Sequence, residues 1–196
     1  MSAASASATA SRRATLSVGL TVGLSALGMT FAALLLAYAI VRVQAPAWPP
    51  RGEAAPPSPW PWPLLATAAA LLGSGAIESA RRGLSPTDGR GRARRNATAL
   101  VAAAGAGVAF LGLQLASCLS LRAAGVTPRS GLVASVVYAL TLFHALHAFV
   151  ALVVLAPALV RARRGRADGP RLGAVAAFWH LVTALWLAVF LAVYVI

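Results

Sequence analysis

Inside the long apolar stretches of this 196-residue chain, five polar side chains have the types and spacing to do chemistry: His144, His147, His180, Glu78 and Gln114. His144 and His147 are three residues apart, which puts both on one face of a helix. Ionisable groups in apolar segments are expensive to hold there, so they are functional candidates by default. Neutral imidazole is also the commonest metal ligand, so one reading is a small b-type haem electron carrier using two of the three histidines. The competing reading is hydrogen bonding to a hydroxyl, amide or carbonyl of a neighbouring helix. Three imidazoles support one bis-histidine haem at most, with no well-placed Met or Cys as an alternative axial ligand and no arginine within the spans for propionates. Hydrogen bonding is therefore favoured, with the imidazoles neutral and bridging the fourth and fifth helices or meeting polar groups of a partner. Glu78 has Arg81 and Arg82 three and four residues on, the spacing of a helical ion pair and not of a proton relay. The single cysteine, Cys118, can make neither an internal disulfide nor a thiolate metal site.

The elements that must position these groups follow from composition. Hydrophobic residues make up 59% of the chain and charged residues 11%, against roughly 25% charged in a soluble domain. That excludes both an ordinary soluble enzyme and a disordered chain. All 17 basic residues are arginine, against the four acids Glu53, Glu78, Asp88 and Asp168. Nucleic acid is not the partner that this charge implies. The arginines fall in short clusters between apolar runs, which is the pattern of membrane topology.

Charge-free runs predict an all-α, polytopic membrane protein with five transmembrane helices at about 15–42, 63–81, 97–121, 131–160 and 172–196. Residues 1–14 form a tail, and 15–196 form a single membrane domain with no internal repeat. The proline-rich segment Gln44 to Trp62 reads as an extended loop, and Trp48, Trp60 and Trp62 in it read as an interfacial aromatic belt. Segments 81–96 and 161–171 read as arginine-rich loops. Thirteen arginines lie on the side of the N-terminus and these two loops, and only Arg42, Arg51, Arg122 and Arg129 on the other. Arginine-rich loops stay in the cytoplasm, so the N-terminus is expected inside and the C-terminus outside. The first apolar run, at 28 residues, is far longer than the roughly 7–15-residue core of a signal peptide and reads as an uncleaved helix.

Small residues predict close helix packing at Gly19 and Gly23, at Gly73 and Gly75, and at Gly105 and Gly107. Trp179, Thr183 and Trp186 share one face of the fifth helix and read as a packing stripe. Gln114, Ser117 and Cys118 form a small polar patch in the third.

Taken in order, these segments resemble subunit III of the haem–copper cytochrome c oxidases in its short five-helix form. ALTLFHALHAFVAL resembles the family's TGFHGLHV stretch, with His144, Leu146 and His147 on motif positions. AAFWHLVTALWLAVFLAVY resembles YWHFVDVVWLFLF, matching Trp179, His180, Val182, Trp186 and Tyr194. FLGLQLAS resembles FLGLQxxE, with Gln114 in place. PLLATAAALLGSG resembles PLLNTxxLLxSS through Pro63, Thr67 and Ser74. FAALLLAYAIVR resembles the first retained helix through Phe31, Ala37, Tyr38 and Arg42. The family's N-inside, C-outside topology agrees with the arginine count.

The departures concern three acids and one amide. The family's first-helix glutamate falls on Leu27, the glutamate after the glutamine motif on Ser117, the aspartate of the fifth helix on Thr183, and the asparagine of its NT pair on Ala66. The resemblance implies a non-catalytic accessory subunit that packs beside catalytic subunit I and other oxidase subunits in a bacterial inner membrane. It implies no catalytic centre and no cofactor in this chain, haem and copper belonging to the catalytic partners, and it allows a structural phospholipid among the contacting membrane lipids. The loss of the intramembrane acids also admits a subunit-III-like accessory protein of a nitric oxide reductase.

Overall fold

A computed structural model describes residues 3–48, 50, 52–53, 61–83 and 90–195, with side chains from residue 18 onward and, in the third helix, from residue 94. All five predicted helices are present: α1 (Ala3–Gln44), α2 (Trp62–Arg82), α3 (Arg90–Ala123), α4 (Leu132–Arg163) and α5 (Gly169–Phe190). The described residues contain no strand. Among the described residues, five segments are long and apolar enough to cross a membrane, from Val18–Gln44 to Gly169–Val195. The helices overrun the charge-free runs, most at α1, which already begins at Ala3, and α3, which begins at Arg90. Absence of charge marks what crosses the apolar layer. Helical hydrogen bonding continues past it into water, because alanine and arginine are both good helix formers.

The breaks are set by proline, glycine and a carboxylate. Pro63 sits in the first turn of α2, where a missing N–H costs nothing. At the other end of α2, the Gly83 N–H donates to the Ser79 carbonyl at 3.0 Å, and Asn96 Nδ2 of α3 donates to the Gly83 carbonyl at 3.1 Å. A Cβ at Gly83 would run into the Asn96 amide and displace this clamp. Ahead of α4, Gly131 takes φ +144°, and the Val133 N–H donates to Glu53 Oε2 at 2.9 Å. Glu53 thus supplies negative charge and an acceptor at an otherwise uncapped helix N-terminus. Beyond α5 the last turn widens into a π-helical segment, Leu191–Val195, that carries buried Val193 and Tyr194.

α2 packs on α3, α3 on α4, α4 on α5, and α5 back on α2, closing a four-helix ring against which α1 lies along α5. The core has two parts. One joins Phe31 and Tyr38 of α1 to the start of α2, the end of α3, the start of α4 and the end of α5. The other joins Ile77, Ala80, Leu100, Leu155, Ala162 and Leu172 at the opposite end. Up-and-down connection therefore places Arg81, Arg82, Arg94, Arg95, Arg161, Arg163, Arg164, Arg166 and Arg171 at one end of the bundle. Trp60 and most of the loop on either side of it lie outside the described residues. Trp48 folds back onto the bundle, with its ring 5.7 Å from that of Tyr38 and 5.5 Å from the Arg42 guanidinium.

Candidate functional site, the polar and aromatic seam of the bundle

Of the predicted site residues, Thr67, Gln114, His144, Trp179 and Trp186 are buried within the ring, His147 and His180 are half-buried, Glu78 lies at the end of α2, and Tyr38 and Arg42 lie on α1. Trp186 is the hub. It is fully buried, and its indole Nε1 donates to Thr67 Oγ1 of α2 at 2.9 Å. Thr67 in turn donates to the Pro63 carbonyl one turn back, at 2.9 Å, which holds its hydroxyl in the accepting orientation. Around the indole stand Phe110 of α3, ring centroids 5.1 Å apart and edge-on, and His144 of α4 at 5.3 Å. Such aromatic pairs add about 0.5–1.5 kcal/mol each beyond the area they bury.

Trp179, almost two turns earlier on α5, is a wedge. A Cβ on Gly73 of α2 would come 3.0 Å from the Trp179 ring, and one on Gly107 of α3 would come 2.8 Å from it. The small-residue expectation thus holds at Gly73 and Gly107. At Gly19, Gly23, Gly75 and Gly105 nothing among the described residues comes within 4 Å of where a Cβ would stand.

The three histidines do not bridge α4 to α5 by hydrogen bonds, the first of the two arrangements expected from sequence. His180 turns to α2, where its Nδ1 is 2.5 Å from Ser74 Oγ and its Nε2 3.5 Å from Glu78 Oε2. His147 Nδ1 bonds the Phe143 carbonyl of its own helix at 2.8 Å. His144 is 1% exposed and has no protein hydrogen-bond partner at Nδ1, while the edges of Phe31 and Phe110 close on its ring at 5.8 and 5.5 Å. The physical reason is helix rotation. Residues 144 and 147 point toward the aromatic cluster, and 180 lies on the face of α5 that meets α2. Among the described residues no three His, Cys, Asp or Glu side chains converge as a metal site.

Glu78 forms the predicted ion pair, with Oε2 2.7 Å from Arg81 Nε and Oε1 2.6 Å from Arg82 Nε. His180 extends it across helices into a chain from Ser74 through His180 to Glu78. Replacing His180 by Leu should loosen the α2–α5 contact by about 0.6 kcal/mol, and at most roughly 1.7, the range for hydrogen bonds between membrane helices. Unfolding in mixed detergent micelles measures it. Ser74→Ala should reproduce most of the effect and add little to the His180 variant, since the two share one bond.

Arg42 and Tyr38 fasten α1. The guanidinium donates to the Tyr38 hydroxyl at 3.2 Å and to the Ala192 carbonyl at 3.5 Å, in the π-helical turn where an intrahelical acceptor is displaced. Gln114 is buried, and neither its amide oxygen nor its nitrogen has a protein partner. Three structural contributors were missed in the sequence: Glu53 as a helix cap, Asn96 as an interhelical clamp, and Tyr138, whose hydroxyl donates to the Val126 carbonyl at 2.9 Å. The signal that could have found Asn96 is its place as the amide directly after the arginine run 90–95. Glu53 and Tyr138 act over loops that carry no periodic pattern.

The comparisons with known proteins agree with this architecture. The family model for cytochrome c oxidase subunit III matches residues 3–196. A curated relative, cytochrome c oxidase subunit 3 from Thermostichus vulcanus, is 29% identical over 183 residues, covering 91% of this chain and 86% of the relative. With five apolar helices in order and a family match over nearly its whole length, the chain belongs to the cytochrome c oxidase subunit III family.

Proposed function

We propose that this chain is a non-catalytic accessory subunit that packs beside the catalytic subunit I of a haem–copper oxidase in a bacterial inner membrane and prolongs its working life. The observation that carries this reading is the fate of the acid positions. Ser117 and Thr183 are buried in the bundle, and Leu27 packs on the core. None of these side chains can hold and release a proton near neutral pH. Glu78, the one acid within the spans, is tied to two arginines at the end of α2. With no carboxylate at those positions, the contribution supported is packing and shielding, served by exposed leucines and valines on every span and by the lipids they contact.

Reduction of oxygen needs a binuclear haem–copper centre with more imidazoles than three, so haem and copper are assigned to the partner subunits. Both matches carry the oxidase's name, and the oxidase is the association retained. A tagged copy of the chain should co-purify with a haem-bearing catalytic subunit, while the chain alone should show no Soret band. A band in the isolated protein that disappears in His144→Ala would overturn the assignment in favour of a haem carrier.

The orientation proposed puts the arginine-rich end of the bundle in the cytoplasm. In a Cys118→Ala background, cysteine at Ala124 should react with an impermeant thiol reagent applied to intact spheroplasts, and cysteine at Ala167 should not. The reverse pattern would invert the topology. Both positions are exposed, at opposite ends of the bundle.

A further inference from the structure

His147 stands midway along α4, with Leu132 at one end of the helix and Arg163 at the other. At 1.5 Å per residue, either end is about 22 Å away. The hydrocarbon layer that α4 crosses is only about 30 Å thick. The imidazole therefore lies deep in that layer, beyond the reach of bulk water.

Its proton is placed by its own helix. Nδ1 is 2.8 Å from the Phe143 carbonyl. A carbonyl only accepts, so the neutral ring carries its proton on Nδ1 and presents Nε2 as a bare acceptor. Nε2 has no hydrogen-bond partner among the described residues and, unlike His144 Nδ1, is not closed off from outside. The ring is half-buried, with Phe31 of α1 and Phe143 edge-on to it at 5.6 and 4.7 Å. Val150 and Val154, one and two turns further along the same face, are exposed. The acceptor thus opens onto an apolar surface beside α1, and no described residue supplies its donor.

The depth and the chemistry of Nε2 together select what covers it. An acyl chain has no donor, and lipid headgroups begin some 15 Å away, at the edge of the layer. A second copy docked symmetrically on this residue would set acceptor against acceptor. The source left at that depth is a side chain of another helix crossing the membrane, since a spanning helix already uses its own backbone donors.

We propose that the face of α4 around His147 docks a transmembrane helix of another subunit, which places an O–H or N–H donor (a serine, threonine, tyrosine or tryptophan side chain) on His147 Nε2. Phe143, Val150 and Val154 supply the apolar packing around that bond. The surface rests on the reading of this chain as a subunit that packs beside others in its complex.

The complex purified through a tagged copy of the chain supplies the test. A density map at about 2.5 Å should show a nitrogen or oxygen of another subunit's helix within about 3.2 Å of His147 Nε2. Acyl-chain density over the ring, or an iron atom bonded to Nε2, would overturn the proposal. His147→Leu should weaken retention of the chain in the complex under rising detergent by about threefold, and at most about eighteenfold, the range for one hydrogen bond between membrane helices. His147→Gln keeps an acceptor and should recover most of that loss. The two variants should unfold alike as isolated chains, so that their difference in retention reports the partner and not the fold. Retention unchanged in His147→Leu would also overturn the proposal. A complex that lacks a haem-bearing subunit would instead refute the oxidase reading, with the map still deciding what meets His147. The map of the natural chain decides even if neither variant assembles.

Discussion

Replacing Trp186 by alanine is expected to destabilise the subunit by about 3–5 kcal/mol and to remove most of it from the assembled oxidase. The residue is fully buried at the crossing of α2, α3, α4 and α5, where it touches Phe110, His144, Phe190 and Tyr194 and donates to Thr67. In lipid, helices gain no hydrophobic free energy by associating, so shape-matched packing and interhelical hydrogen bonds must hold them together. Alanine would remove both at the most connected point and leave Thr67 without its donor. Thr67→Val keeps the volume but leaves the buried indole N–H without an acceptor, so it should cost about 1–3 kcal/mol. Detergent-titrated unfolding, with the yield of assembled subunit beside it, separates the two. Equal losses for both variants would mean that the bond, and not the packing, dominates.

Gly107→Ala should destabilise by about 1–3 kcal/mol. Its new methyl would stand 2.8 Å from Leu152 Cδ2 and 2.8 Å from the Trp179 ring. Leu152 has rotamers to spare. Trp179 does not, because its other side is already against Gly73, where a Cβ would come within 3.0 Å. Gly105→Ala, two residues away, meets nothing within 4 Å and should instead gain up to about 1 kcal/mol of helix propensity. The same unfolding assay should therefore give opposite signs for two adjacent glycine substitutions on one helix. Destabilisation by both would contradict the open surroundings of Gly105 and the special role of the Trp179 contact at Gly107.

These contrasts mark how far the sequence could be read. Charge-free runs located every span, because the cost of charge in lipid is large and one-signed, and the Glu78 pairing with Arg81 and Arg82 followed from local spacing alone. Which way each histidine turns did not follow. His180 at Ser74 and His147 on its own backbone depend on helix rotation, which an almost uniformly apolar helix does not encode in its pattern. For the same reason small-residue content could not tell Gly107, under Trp179, from Gly105, open on its outer side. Glu53 was legible only as an acid in a proline-rich loop. That it caps α4 some 80 residues later is a tertiary fact.

The central claim is that this subunit sustains the oxidase without moving protons for it. Oxygen consumption by membranes, followed over many turnovers with and without the gene and normalised to haem, tests it most directly. The account predicts nearly equal initial rates, followed by a faster decline of activity in membranes lacking the subunit. An immediate several-fold fall in initial rate at alkaline pH, with unchanged decline and normal assembly, would contradict it, because that is the signature of lost proton collection in a bundle whose acid positions hold Leu27, Ser117 and Thr183.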